Sequence, residues 1–389
     1  MRRCRAAADE RLGAGTEPPL TGPWAILSLG ERVRSGGPCE LEVTRDPAAG
    51  AADVPLCSIV IPTYNGRPLL ARCLASISQH LPRERSWTTE IVVVDDASTD
   101  DTADWLASHF PSVRLVRLER NGGFCAAANA GIAAARGHFI QLLNNDTEVT
   151  PGWLEAGLAP FSDPNVGSVA PLVLVRSDPR RVDSAGDSYN LAGWPTKRGH
   201  GQPVERWINR PLEDVFTASG SSAFYRAEAI RQVGGFDPLL GSYYEDVDLG
   251  FRLRWAGYRC VYNAHSRVLH EISATYNHAR PTLQRRMARN AELVFWSNMP
   301  AGRLVAALVP HVLFILAQSS WRLARLRFIP FFLGKVDAAR SARAIRQRRQ
   351  LRADLARKSI ARAHFPMTIG VAGDLVNHLR RPVRSGSRG

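Results

Sequence analysis

Four short apolar runs, separated by helix-like segments, constrain this chain more than any other feature. "CSIVIP" begins at Cys57, "EIVVV" at Glu90, "VRLVRL" at Val113 and "HFIQLL" at His138. The first two are nearly continuous, the mark of strands covered on both faces. The third alternates. Pro68 to Gln79 reads as a helix with Leu69, Leu70, Leu74 and Ile77 inward. "STDDTADWLASHF" opens on a Ser/Thr/Asp cap and continues as a helix. Asn121-Gly122-Gly123 is a turn, and "FCAAANAGIAAARG" is a small-residue helix able to lie close on a sheet. Strands alternating with helices imply right-handed crossovers and an α/β fold with a mostly parallel sheet. Ligands of such sheets bind beyond the carboxyl ends of the strands.

Three of those ends are polar: Tyr64-Asn65, Asp95-Asp96, and "LLNNDTEVTP", where Asn144, Asn145 and Asp146 follow two leucines. Neither GxGxxG after the first strand nor GxxxxGK[ST] anywhere is present, so the common phosphate-cradling loops are missing. A carboxylate-held divalent cation is the other way to hold a diphosphate, because Mg²⁺ and Mn²⁺ favour oxygen ligands. Asp146 is placed for that. It is equally consistent with a turn capping the helix that begins near Pro151. Further on, Glu245, Asp246 and Asp248 crowd the first turn of a helix in "YYEDVDLGFRLRW". Acidic residues there complement the helix dipole. Adjacent carboxylates beside aromatics also suit a general base. His270 ends an apolar run 24 residues after Asp246; a single histidine is consistent with either a ligand or a packed residue.

The 389 residues are 45% hydrophobic, ample for a core, and carry a net charge of +14. From Ser319 onward there are 17 basic and 3 acidic residues, and the rest of the chain is neutral. The basicity therefore belongs to a tail and says nothing about the body's substrate. Six cysteines without paired spacing argue for a reducing compartment and against zinc or a disulfide framework. "MRRCRAAADERLGAG" lacks an apolar region behind its charges, and "WAILSL" is too short for a signal peptide. Residues 1–56 lack periodicity and are expected to be poorly ordered, with a short strand near Trp24 to Leu29.

In the tail, Leu304 to Ala317 is an apolar run with Pro310 and His311 inside. As a helix it would span about 21 Å, short of the roughly 30 Å of a bilayer core. An Arg-rich helix follows, with Ile345, Leu351 and Leu355 toward one side. Apolar segments beside clustered arginines suit an anionic membrane surface. A domain-packing helix with a solvated tail, or an RNA-binding arm, are the alternatives. No nucleic-acid motif accompanies the tail, and no aromatic interleaves the basic helix before Phe365.

"SIVIPTYNG", "EIVVVDDASTDDT", "NGGFCAAANAG", "LLNNDTEVTPGWL", "VGGFDP" and "YYEDVDLGFRLR" occur in this order. Together they resemble the inverting nucleotide-sugar glycosyltransferases of family 2, most closely bacterial rhamnosyltransferase-like enzymes of surface polysaccharides. The resemblance covers about residues 57–300. It implies a GT-A fold there, with a Rossmann-like sheet flanked by helices, and leaves 301–389 as a helical extension. By the same resemblance Pro62, Tyr64 and Asn65 line the base and ribose. Asp96 accepts from the nucleotide, Asn121 sits on a loop closing over it, and Asn145 belongs to the nucleotide site. Asp146 and His270 hold a divalent cation (Mg²⁺ or Mn²⁺), and Asp246, with Glu245 beside it, is the base. Asn144 replaces the first carboxylate of the family's DxD element, leaving Asp146 as its only anion. The implied donor is a UDP- or dTDP-linked sugar. The implied acceptor is a glycan, lipid-linked at the cytoplasmic face of the membrane, with no nucleic acid involved. Thr217 to Arg226 reads as a strand of small residues where backbone approaches the donor sugar, or as plain core. Trp194 either stacks on a sugar or packs. Two other readings are a nucleotidyltransferase, which would show a glycine-rich basic loop after the first strand, and an inactive nucleotide-sugar-binding module.

Overall fold

Strand β1 (Cys57–Thr63) is buried along its whole length, because sheet neighbours flank it and helices cover both its faces. This computed structural model describes residues 56–82, 88–272, 280–359, 361 and 363–368. Residues 1–55, with the strand expected near Trp24, lie outside the described residues, as does the chain from 369 on.

The first half follows the expected alternation. Helix α1 (Arg67–His80), β2 (Thr89–Asp95), α2 (Thr102–His109), β3 (Arg114–Arg117), α3 (Gly123–Ala134) and β4 (Phe139–Leu143) succeed β1. Strands β4, β1, β2 and β3 lie side by side and parallel. The small-residue helix α3 does sit close on the sheet: a Cβ on Gly131 would come within 2.2 Å of Val60.

After β4 come β5 (Thr147–Val149), α4 (Trp153–Leu158), β6 (Val166–Val175), β7 (Asp178–Ser184), β8 (Asp187–Asn190), β9 (Pro195–Lys197) and β10 (Glu213–Val215). Then follow β11 (Ser222–Arg226), α5 (Ala227–Gln232), α6 (Glu245–Trp255) and β12 (Arg259–His270). The main sheet has ten strands in the order β10-β12-β6-β11-β4-β1-β2-β3, with β5 paired to β12 and β7 to β6. Strand β11 runs antiparallel to both β4 and β6, so β6 and β12 regain the direction of β1. The sheet is mostly parallel with helices on its faces, the GT-A arrangement. The strand expected from Thr217 begins only at Ser222; Thr217 to Ser221 is a loop.

Helices α7 (Pro281–Asn298), α8 (Ala301–Ala324), α9 (Phe328–Arg340) and α10 (Ala342–Arg357) lead to a two-residue strand, β13 (Met367–Thr368), which pairs with β8. The expected 14-residue apolar helix is part of the 24-residue α8, which is about 36 Å long. The arginine-rich helix also differs from expectation. One face of α10, expected at a membrane surface, is buried against the body. Arg348 pairs with Asp237 through two contacts of 2.6 and 2.8 Å. Arg352 donates to Asp248 at 2.9 Å and to Asn298 at 2.8 Å. A hydrophobic cluster that includes Phe251, Phe295 and Met299 also takes in Ala307 and Phe365. The extension thus shares a core with the body.

Candidate active site

Asp146 and His270 meet because the short strand β5 pairs antiparallel with the end of β12, with His270 opposite Thr147. The N–H of Glu271 also donates to the Asp146 carbonyl at 2.9 Å. His270 Nε2 lies 3.4 Å from Asp146 Oδ1. That oxygen is buried and accepts no hydrogen bond, so Asp146 does not use it to cap the next helix. The other ring nitrogen, Nδ1, donates to Asp183 Oδ2 at 2.9 Å, which fixes the tautomer and aims Nε2 at Asp146. Burial opposes a charge on the ring, but the neighbouring carboxylates of Asp146 and Asp183 outweigh it and push His270 up to about 9, so a cation bound at Nε2 would displace that nitrogen's proton. Among the described residues no cage of three or more His, Cys, Asp or Glu side chains forms around this pair. A buried orphan carboxylate oxygen facing an oriented imidazole nitrogen fits a cation that takes its other ligands from diphosphate and water.

Asp183 was missed from the sequence. It is buried in β7 and is also met by Lys197 Nζ at 2.9 Å and His200 Nδ1 at 3.2 Å. Burial favours its neutral form, yet the charge of Lys197 and the hydrogen bonds of His200 and His270 hold it well below the usual carboxylate range. Asp187, four residues on, is likewise buried; burial, with the charge of Asp246 next, pushes it up to about 8. The only sequence signal was two carboxylates in the weakly charged stretch "VDSAGDSYN". What makes them a cluster is the curl of β7 into β8, which period-two patterning does not reveal.

Asp246 and Glu245 stand at the start of α6, as expected. The N–H of Gly220 donates to Asp246 Oδ2 at 2.9 Å, and that of Val247 to Oδ1 at 2.8 Å. Thr217 Oγ1 donates to the Asp246 carbonyl at 3.0 Å. Next to Gly220, the carbonyl of Ser221 accepts from the Asn144 N–H at 3.0 Å. The loop from Thr217 to Ser221 thereby ties α6 to the tip of β4. Burial raises Asp246, and the two N–H donors oppose it. Glu245 has a buried, unpartnered Oε2. Burial, with the charge of Asp246 next, pushes it well above the usual range. Tyr243 and Tyr244, just before the helix, have φ of 68° and 70°, a strained region for bulky residues. Asn290 on α7 holds them there: its Nδ2 lies 2.8–3.1 Å from the carbonyls of Leu240, Ser242 and Tyr243.

The residues expected at the nucleotide divide into two groups. Tyr64 is 42% exposed at the strand ends, and Asn121 is exposed on its loop. The others are engaged by protein. Asp96 accepts from the N–H groups of Gly122 (2.7 Å) and Gly123 (2.9 Å), so it positions the Asn121 loop. The side-chain amide of Asn65 is taken up by Thr99, and that of Asn145 donates to Thr63 at 2.8 Å. Pro62 does not lie in the first loop; it is buried within β1 opposite Val94. Trp194 packs its ring 5.1 Å from that of Phe314 on α8.

The sheet, the acidic strand ends and the carboxylates of α6 define a nucleotide-sugar transferase of the GT-A type. Residues 58–234 match the description "Glycosyl transferase family 2". An N-acetylglucosaminyl-diphospho-decaprenol L-rhamnosyltransferase of Mycobacterium tuberculosis is 32% identical over 233 residues, 54% of this chain and 75% of the relative. A pre-mycofactocin glycosyltransferase of the same species is 31% identical over 220 residues, 55% of this chain and 42% of that one. A crystal structure of GalNAc-T7 with UDP, GalNAc and Mn²⁺ superposes with a TM-score of 0.50 at 20% identity, over 62% of this chain and 48% of that chain; it bears on the fold alone. The chain belongs to glycosyltransferase family 2 and transfers a sugar from a nucleotide sugar to an acceptor.

Proposed function

We propose that this protein transfers a sugar from a UDP- or dTDP-linked donor to a lipid-linked glycan at the cytoplasmic membrane surface, by single displacement with inversion. The observation that supports the reading is the hydrogen-bonded link from Asn144 through the Ser221–Gly220 loop to Asp246, which joins the strand end carrying Asp146 to the carboxylates of α6. Asp246 takes the proton of the acceptor hydroxyl as its oxygen attacks the anomeric carbon. The bond to the diphosphate breaks on the opposite face, and one base with no covalent intermediate gives inversion. Asp146 and His270 would hold a divalent cation, whose positive charge would stabilise a departing diphosphate. Tyr64, Asn121 and the loop that Asp96 fixes receive the nucleoside.

The lipid-linked acceptor has separate support. The mycobacterial relative is named for a diphospho-decaprenol acceptor. On α8 and α9 of this chain Val305, Val309, Val312, Leu313, Leu316, Leu323, Ile329 and Phe332 are all more than half exposed, beside Arg325 and Arg327. The opposite face of α8 carries Ala307, His311, Phe314 and Gln318 into the body. With polar His311 and Gln318 committed there, the helix lies along a membrane surface rather than through it.

The test is a donor panel with Mn²⁺ or Mg²⁺, scored by nucleoside diphosphate release and by the anomeric configuration of the product. Retention of configuration, or undiminished turnover in excess EDTA, would overturn the corresponding part of the mechanism.

A further inference from the structure

The cleft between α8 and the start of α6 holds two buried donors that have no acceptor. Its polar lining is Tyr244, Glu292, His311, Gln318, Arg322 and Lys335, among mostly apolar neighbours. One part of this set is satisfied. Glu292 Oε1 accepts from Lys335 Nζ at 2.5 Å, and its Oε2 accepts from Trp296 Nε1 at 2.8 Å. His311 lies between that Oε2 (Nε2, 3.1 Å) and the carbonyl of Ala192 (Nδ1, 2.8 Å). Burial disfavours the Glu292 charge, yet these partners hold its carboxyl down at about 2. Lys335 and Glu292 therefore neutralise each other.

The remaining two groups are not satisfied. Gln318 Nε2 and Arg322 Nε are buried and have no hydrogen-bond partner among the described residues. They stand one turn apart on α8, so both reach the same cleft. The partly exposed Arg322 guanidinium lies over the Phe331 ring at 4.7 Å and the Trp321 ring at 5.9 Å, and forms no ion pair among the described residues. A buried donor left without an acceptor is costly, and two such donors on one cleft call for a ligand that accepts from both.

The position says what that acceptor is. On one side stands Tyr244, immediately before Glu245 and Asp246. On the other, the exposed apolar face of α8 and α9 begins. An anion bound here sits between the base and the lipid surface, where a lipid-linked acceptor must carry its phosphate if its sugar is to reach Asp246. We propose that Gln318 and Arg322 form a subsite for a phosphate group borne on a lipid chain, the acceptor's own diphosphate. The proposal rests on the lipid-linked acceptor argued above. It adds the residues that would select such an acceptor over a free glycan.

The test uses the full-length protein and titration calorimetry with farnesyl diphosphate, farnesol and UDP. Vesicles of phosphatidylcholine with and without phosphatidylglycerol form a second arm. The wild type should bind farnesyl diphosphate, and Arg322→Met should weaken this by about tenfold or more. Arg322→Lys should restore part of it, and Gln318→Leu should cause a smaller loss. UDP affinity, melting temperature and the weak binding of farnesol should not change. Should Arg322→Met fail to fold, Gln318→Leu and Arg322→Lys carry the same comparison. If Arg322→Met lowers affinity only for phosphatidylglycerol vesicles, the phosphate belongs to a phospholipid head group and the acceptor assignment falls. Equal farnesyl diphosphate and vesicle binding by all variants overturns the subsite. Absence of nucleotide binding in the wild type, with Arg322-dependent diphosphate binding intact, would instead overturn the transferase reading and leave the subsite standing.

Discussion

Asp246 and Glu245 are chain neighbours, and burial raises both, but their hydrogen-bond partners differ. Asp246 is held by two backbone N–H donors, which favour its charged form, whereas Glu245 has a buried orphan oxygen and is pushed well up. Only a deprotonated carboxylate can take the acceptor's proton. Asp246→Asn is therefore expected to lower transfer by about 10²-fold or more with nucleotide binding retained, and steady-state kinetics beside a UDP titration will check it. Glu245→Gln should keep most activity; the reverse pattern would move the base to Glu245. A second expectation concerns a residue that touches no substrate. Asp183 fixes the tautomer of His270, and loss of such an orienting carboxylate weakens metal binding by about 10–100-fold. Asp183→Asn should show this in a Mn²⁺ titration read by calorimetry, with the fold unchanged by circular dichroism. Unaltered Mn²⁺ affinity would remove Asp183 from the site.

The elements of the first half were legible because buried parallel strands are written as continuous apolar runs, and Asp96, Asp146 and Asp246 each stand where such a run or a helix start ends. What failed had distant or local-geometric causes. Strand β5 is three residues long, too short for a pattern, yet it brings Asp146 to His270. Asp183 depends on how β7 curls. Helix α10 reads as a basic helix for an anionic membrane surface because the partners of Arg348 and Arg352 lie 111 and 104 residues earlier, and no local pattern announces them. Removing one partner of a buried ion pair costs about 3–5 kcal/mol, so Arg352→Met should lower stability on that scale in denaturant titrations. The pH dependence has a definite sign. Burial opposes the charge of Asp248, but Arg252 and Arg352 hold its carboxyl well below the usual range. Its contribution is therefore complete above the unfolded-state value of about 4 and is lost as pH falls from there toward the folded value. The melting-temperature gap between wild type and Arg352→Met should be widest near neutrality and narrow in acid; a gap that widened in acid would contradict the latch.

At the scale of the whole molecule, the extension does two things with two faces. Its inner face completes a core and locks α6 through Asp248, so a chain ended near Pro300 would lose Arg348, Arg352 and the packing of Ala307 and Phe365. Its outer face presents a row of exposed valines and leucines flanked by arginines, the surface proposed to meet the membrane. These two contributions to membrane binding respond differently to salt. Charge attraction decays over a Debye length of about 8 Å at physiological ionic strength and less at higher salt, whereas burial of apolar side chains does not weaken with screening. Because two of the arginines of α10 are committed to carboxylates of the body, the apolar component should dominate. Full-length protein is expected to float with phosphatidylglycerol-containing vesicles and to lose only part of this binding in high salt. Each fully buried valine or leucine is worth about 1.5–3 kcal/mol. Replacing Val309 and Leu313 with glutamate should therefore weaken flotation by at least about tenfold, while turnover of a soluble acceptor analogue stays near wild type and turnover of a polyprenyl-linked acceptor falls with membrane binding. If high salt alone released the protein and the double substitution left flotation unchanged, the arginines would hold it at the membrane and the apolar face would have no part in seating the active site.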